Sequence, residues 1–159
     1  MTPHKPRMVI LADIASLKIT CEGFKSLVEE ISKDFDVVDC KFYNYNAKRN
    51  RDYKEYIAEN SFDTFAASAS KRRNKLDSAQ LISAIDVVNS RDNKAFAVSA
   101  AGFITGDGDI LPLINVFKGK GIDIYDINVV QSKYNEMYSG FINVPESALK
   151  EGYKPRTDR

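Results

Sequence analysis

Two carboxylates separated by a single glycine, Asp107 and Asp109, stand in the run Phe103-Ile-Thr-Gly-Asp-Gly-Asp-Ile-Leu-Pro-Leu-Ile114. There a short apolar stretch ends in a tight glycine turn and a helix is expected to begin. Acids spaced in this way point toward one small volume, and uncompensated they repel. Two unit charges about 4 Å apart cost on the order of 4 kcal/mol at an effective dielectric near 20. A Mg²⁺ or Mn²⁺ ion, which takes hard oxygen ligands, turns that repulsion into attraction. The pair therefore reads as a divalent-metal site at the carboxyl end of a strand.

Two further acids can join it. Asp13 follows the apolar run from Met8 to Ala12, and Asp77 precedes the start of an expected helix. In an open α/β sheet, ligands bind outside the carboxyl ends of the strands, near the point where strand order reverses. Each acid also has a plainer use. Asp13 can be a turn residue, Asp77 and Asp109 can be helix caps, and only Asp107, between glycines, lacks a ready structural role. Positive charge stands nearby in sequence. Lys71, Arg72, Arg73 and Lys75 lead into Asp77, and Lys48, Arg49 and Arg51 precede another helix. Both groups can track a phosphate backbone or can simply be solvated loops. Tyr43, Asn44, Tyr45 and Asn46 are candidates for contacts with an unpaired base, although Tyr43 also suits the core end of a strand.

The elements that must position these residues follow from periodicity. Met8 to Ala12 is a compact strand, and Phe24, Leu27, Val28 and Ile31 share one helical face. Val37 to Tyr43 predicts a second strand, Arg51 to Asn60 a second helix and Phe62 to Ala66 a third strand. Leu81, Ile82, Ile85 and Val88 define a helix opening near Asp77 or Ser78. The segment from Asp92 to Gly102 can extend that helix, form another, or lead straight into the strand at Phe103. Pro112 suits the first turn of the next helix, and Gly119 and Gly121 punctuate its end. Ile122 to Ile127 is a strand whose alternation with Asp123 and Tyr125 places it at a sheet edge. Residues 128–140 read as helical, Gly140 to Val144 as a weak strand, and Pro145 to Arg159 as a short helix with a loosely held tail. Alternating strands and helices predict a three-layer α/β sandwich around a mainly parallel sheet.

A chain of 159 residues fits a single domain. We divide it into a flexible start over 1–7, a domain over 8–144 and a tail over 145–159. The hydrophobic and charged fractions, 43% and 28%, exclude a disordered chain, and the net charge of +1 gives no general affinity for nucleic acid. Cys21 and Cys40 lack the spacing of a metal knuckle and are expected to be buried thiols, which suits a cytoplasmic protein. The run from Met8 to Ala12 is too short for a signal-peptide core, and no apolar stretch is long enough to predict a membrane span.

The order of these elements, with an acid after the first strand, Leu76-Asp77 at a helix start and the late run Thr105-Gly-Asp-Gly-Asp-Ile-Leu-Pro-Leu113, resembles the NYN domains of the PIN-like nuclease superfamily, in their LabA-like form. The family's late motif is Ser-Gly-Asp-x-Asp-Phe followed by Pro-Leu, and Gly119-Lys-Gly-Ile122 is similar to its turn into the next strand. The likeness spans roughly residues 8 to 144, with the late motif the specific part. Departures fall elsewhere. The family's Ile-Asp-Gly-x-Asn becomes Ala12-Asp-Ile-Ala-Ser16, which makes Ile14 a candidate obstruction. Ser83 occupies the place of a further acid, and Ser139-Gly140 replaces Ala-Asp.

The resemblance implies a PIN-like, Rossmannoid fold and a metal-dependent endoribonuclease. Asp13, Asp77, Asp107 and Asp109 would hold Mg²⁺ or Mn²⁺, with Ser16, Thr105 and Gly106 as further matched positions. Neither histidine nor cysteine is required, in keeping with a chain whose single histidine is His4. Single-stranded RNA is the expected partner. A homodimer or a protein partner belongs to the alternative reading, a catalytically weakened module whose altered first motif leaves it only to bind. A third reading takes Asp-Gly-Asp as the metal pair of an enzyme using a nucleotide sugar, for which the chain is short.

Overall fold

The computed structural model describes residues 5–15, 17–66, 98–104 and 111–155, with the backbone alone at 111–113. Six strands form one all-parallel sheet in the order β3-β2-β1-β4-β5-β6. They are β1 (Arg7–Asp13), β2 (Asp36–Tyr45), β3 (Asp63–Ala66), β4 (Ala100–Ile104), β5 (Asp123–Asn128) and β6 (Gly140–Asn143). Strand order reverses between β1 and β4, which are therefore the central pair. Their composition shows it. Every residue of β4 and all of β1 after Arg7 is buried, as expected for strands covered on both faces.

Side-chain alternation along the strands divides the interior into two cores. Met8, Ile10, Ala12, Cys40, Phe42, Ala100, Ile104 and Ile127 pack on one side, against Phe24, Leu27 and Ile31 of helix α1 (Cys21–Ile31). Tyr56 and Ile57 of helix α2 (Lys54–Asn60) join the same layer. Val9, Leu11, Tyr43, Ala101, Phe103 and Ile124 pack on the other side, against Ile114 and Phe117 of helix α3 (Leu111–Gly119). The result is the three-layer sandwich that the alternation of elements predicts.

Local chemistry sets the helix ends. Thr20 caps α1, its hydroxyl accepting from the Gly23 N–H at 2.9 Å. At the end of α3, the Ile122 N–H reaches Phe117 O and the Gly121 N–H reaches Lys118 O, with Gly121 at φ 76°. That is the Schellman arrangement, which needs a left-handed residue where this glycine stands. Gly23 has a different task. A Cβ there would collide with the backbone of Ala148, so the missing side chain lets the segment after β6 lie against α1.

Several expectations are corrected. β5 lies between β4 and β6, not at an edge. Its alternation arises because Asp123 opens the strand in solvent, while Tyr125 is half-buried against the Phe35 ring at a centroid distance of 4.9 Å. Residues 128–140 contain no α-helix, only a 3₁₀ turn at Asn135–Met137, because polar anchors rather than an apolar stripe hold this crossover. The expected helix after Pro145 is a 3₁₀ turn at Glu146–Ala148. Nor is the segment from 145 to 153 loose. Leu149 bridges Ile19, the Thr20 N–H donates to Ala148 O at 2.9 Å and the Lys150 N–H donates to Lys18 O at 2.9 Å. The second helix begins as a 3₁₀ turn over Arg51–Tyr53 before α2. Val98 is buried and β4 starts at Ala100, so the end of the 92–102 segment leads directly into strand. The helix expected from Asp77 onward lies outside the described residues.

Candidate functional site

Asp13 ends β1 on the strand face that carries Val9 and Leu11, and it is only 1% exposed. Its Oδ1 accepts two hydrogen bonds. The Ala15 N–H donates at 3.1 Å, closing the turn that a strand-terminal aspartate commonly makes. The Asn44 side-chain amide donates at 2.9 Å from β2. This second bond depends on an irregular backbone. Asn44 adopts φ 56°, and the β2–β3 register slips between Tyr43 and Tyr45. Asparagine tolerates the left-handed region better than most residues, and a bulge re-aims the side chain it carries. The turn role of Asp13 is thus real but incomplete, since a neighbouring strand also orients the carboxylate.

Asp13 lies at the reversal of strand order, where ligand sites of open α/β sheets form. Ala12 is in register with Ile104, so β1 and β4 end at the same level. The chain carrying Asp107 and Asp109 leaves β4 immediately beyond that level. Asp77, Asp107, Asp109, Ser16, Thr105 and Gly106 themselves lie outside the described residues, as do Lys71, Arg72, Arg73 and Lys75. Among the described residues no three acids, histidines or cysteines cluster.

The donor chemistry at this end of the sheet fits a hard divalent cation. Asp13 offers carboxylate oxygen, the ligand type Mg²⁺ and Mn²⁺ prefer. The soft alternatives are remote from it: Cys21 and Cys40 are free thiols in the α1-side core, and burial pushes the Cys40 thiol well above its usual range. Ile14, the candidate obstruction, is largely buried and also lines the small cleft described below. It packs in the α1-side core, across the sheet from the face that Asp13 continues.

The basic residues after β2 are held by a compact turn. Asn46 Oδ1 accepts from the N–H groups of Lys48 at 3.0 Å and Arg49 at 2.9 Å. Asn50 Oδ1 in turn accepts from the Asn46 N–H at 3.0 Å. The Asn46 acceptor is therefore engaged in shaping this turn rather than offered to a base. Tyr43 is 2% exposed and stacked on Phe65 at 5.1 Å, so its core role is the correct one. Lys48, Arg49 and Arg51 are all exposed. Of the three, Arg49 alone lines a cleft of ≈ 140 Å³ beside Asp13, shared with Ile14, Lys18, Asn44, Asn50 and Lys150.

Sequence reading missed Lys18, Asn50 and Lys150, and missed that Asn44 serves Asp13. The three cleft residues carry no motif, and the bridge between Ile19 and Leu149 that unites Lys18 with Lys150 joins distant parts of the chain. The bulge at Asn44 had one legible cue, an asparagine at the end of a strand run. Also missed was Asp126 of β5, 1% exposed, whose Oδ2 accepts from the Ser132 N–H at 3.1 Å.

Comparison with known proteins agrees with this architecture. The crystal structure of a protein of unknown function from Vibrio parahaemolyticus is similar at a TM-score of 0.60 and 15% sequence identity, over 94% of this chain and 99% of that one. At that identity the likeness concerns the fold. No curated protein matches the chain. No described helix is long and apolar enough to cross a membrane. The sequence profile of the NYN domain matches residues 7–142, which takes in β1 with Asp13, the β2 bulge with Asn44, and the Asp107-Gly-Asp109 run. The chain thus belongs to the NYN domain family of the PIN-like nuclease superfamily.

Proposed function

We propose that this protein is a metal-dependent endoribonuclease that hydrolyses RNA phosphodiester bonds, with Asp13, Asp77, Asp107 and Asp109 as the carboxylates that hold Mg²⁺ or Mn²⁺. One observation carries the reading: a buried, doubly hydrogen-bonded Asp13 stands at the reversal of strand order, level with the strand end from which Asp107 and Asp109 continue. Such ions, when bound, supply charge neutralisation at the scissile phosphate and a water nucleophile of lowered pKa.

The protein's own residues have distinct tasks in this reading. Asn44 fixes the direction of the Asp13 carboxylate, the kind of support that outer groups give to a ligating side chain. Arg49, with Lys48 and Arg51 in the same turn, supplies positive charge on the side of the acids reached from β2. Lys71, Arg72, Arg73 and Lys75 supply it before Asp77. Together they attract a phosphate backbone without reading sequence. Loops and a small cleft suit a single strand, whose backbone can bend into the site. We place this activity in the cytoplasm, in keeping with two unpaired, buried thiols.

The test is cleavage of single-stranded RNA with Mn²⁺ or Mg²⁺, comparing the wild type with Asp107→Asn and Asp13→Asn. Metal-dependent cleavage lost in both variants supports the nuclease. Equal cleavage by wild type and variants points to a contaminant and refutes it. RNA binding without cleavage, across varied substrates and both metals, makes the chain a binding module instead.

A further inference from the structure

The cleft beside Asp13 has a composition that metal ligation does not explain. It brings together three cations from three separate parts of the chain: Lys18 after β1, Arg49 after β2 and Lys150 after β6. None of them forms an ion pair with a carboxylate among the described residues. In a protein whose net charge is +1, this is a local concentration of positive charge. The Lys18 ammonium also lies over the Tyr153 ring, 6.0 Å from its centroid, and like charges on one cleft favour an anion placed among them.

The walls are built rather than incidental. Tyr53 is 1% exposed, and its hydroxyl donates to Ile19 O at 2.6 Å, which ties the Arg49 turn to the segment carrying Lys18. The Lys150 N–H to Lys18 O bond fixes the third wall. Asn50 is 4% exposed and lines the cleft, with its carboxamide oxygen on the Asn46 N–H. Its carboxamide thus adds a neutral polar group to a lining that carries three cationic residues.

We propose that this cleft is a phosphate pocket that receives the terminal phosphomonoester of an RNA strand, beside the carboxylates read above as the nuclease centre. Charge and size argue for a terminal group over an internal linkage. A phosphomonoester carries about −1.5 to −2 charges at pH 7 and three strong acceptor oxygens, whereas a diester carries one charge. The volume of ≈ 140 Å³ holds one phosphate with a few waters, well below the roughly 300–1,000 Å³ of pockets that enclose a whole small ligand. Asn44 links the two places, since it lines the cleft and donates to Asp13. The proposal rests on the nuclease reading for its substrate, and its test does not depend on cleavage.

Binding of short dye-labelled RNAs is measured by fluorescence anisotropy in EDTA, with no divalent metal. The strands bear a 5′-phosphate, a 3′-phosphate or hydroxyls at both ends. We expect one phosphorylated strand to bind about tenfold or more tighter than the hydroxyl-ended one, the worth of charge-assisted hydrogen bonds to a single group. The double variant Arg49→Gln/Lys150→Gln, checked for its fold by circular dichroism, loses that preference. Equal binding of all three strands overturns the proposal, as does a preference that survives in the folded double variant. A phosphate preference in a protein that fails to cleave RNA sustains the pocket and removes the nuclease, while cleavage without a preference does the reverse.

Discussion

Two aspartates of this sheet are equally hidden yet differently placed. Asp13 on β1 and Asp126 on β5 are each 1% exposed and each accepts a backbone N–H from the loop that follows its own strand. Asp126 receives that N–H from Ser132, whose hydroxyl accepts in turn from the Tyr134 N–H at 3.1 Å, so this acid organises the crossover to β6. Asp13 receives a further hydrogen bond from a side chain on another strand, presented by a left-handed residue at a bulge, and it adjoins a cationic cleft. Burial and a closed turn are common to both. Position separates them: Asp13 ends β1 at the reversal of strand order, whereas Asp126 sits on β5, one strand beyond β4.

Changing each carboxylate to its amide breaks the comparison most sharply. Asp13→Asn is expected to lower RNA cleavage by more than roughly 100-fold, the upper range for losing support at a metal site, with the protein still folded. Asn44→Gly keeps a residue that accepts positive φ while deleting the amide, and it should lower cleavage by about 10–100-fold in single-turnover assays. Asp126→Asn should act chiefly on stability, lowering it by about 1–3 kcal/mol in urea unfolding, with cleavage per folded molecule changed less than about tenfold. Ser132→Ala, which removes one bond to the Tyr134 N–H, should cost only about 0.5–1.5 kcal/mol in the same measurement. If Asp126→Asn proves as inactive as Asp13→Asn while remaining folded, the distinction drawn here fails.

How much of this was legible beforehand depends on the range of the interaction. β1, α1 and α3 follow from an apolar run, an apolar helical face, and Pro112 with paired glycines, all local signals. The position of Asp13 at a strand end was equally legible, and family likeness attached a role to it. Its Asn44 partner was not, because the contact requires parallel pairing of Asp13 with Tyr43 and a bulge immediately after it. The central place of β5 was misread because β6, only four residues long with no buried residue, gives little periodic signal as the true edge. The cationic cleft was the least legible part. Lys18 and Lys150 are ordinary surface lysines in sequence, and only the pairing of Ile19 with Leu149 makes them neighbours.

The central claim is that Asp13 and the Asp107-Gly-Asp109 run contribute to one metal centre. Mn²⁺ titration followed by electron paramagnetic resonance tests it without reference to any substrate, using the wild type, Asp13→Asn, Asp107→Asn and Asp126→Asn. The account predicts that Asp13→Asn and Asp107→Asn each weaken Mn²⁺ binding by about tenfold or more, and that Asp126→Asn binds as the wild type does. Mn²⁺ bound with undiminished affinity by folded Asp13→Asn would contradict it.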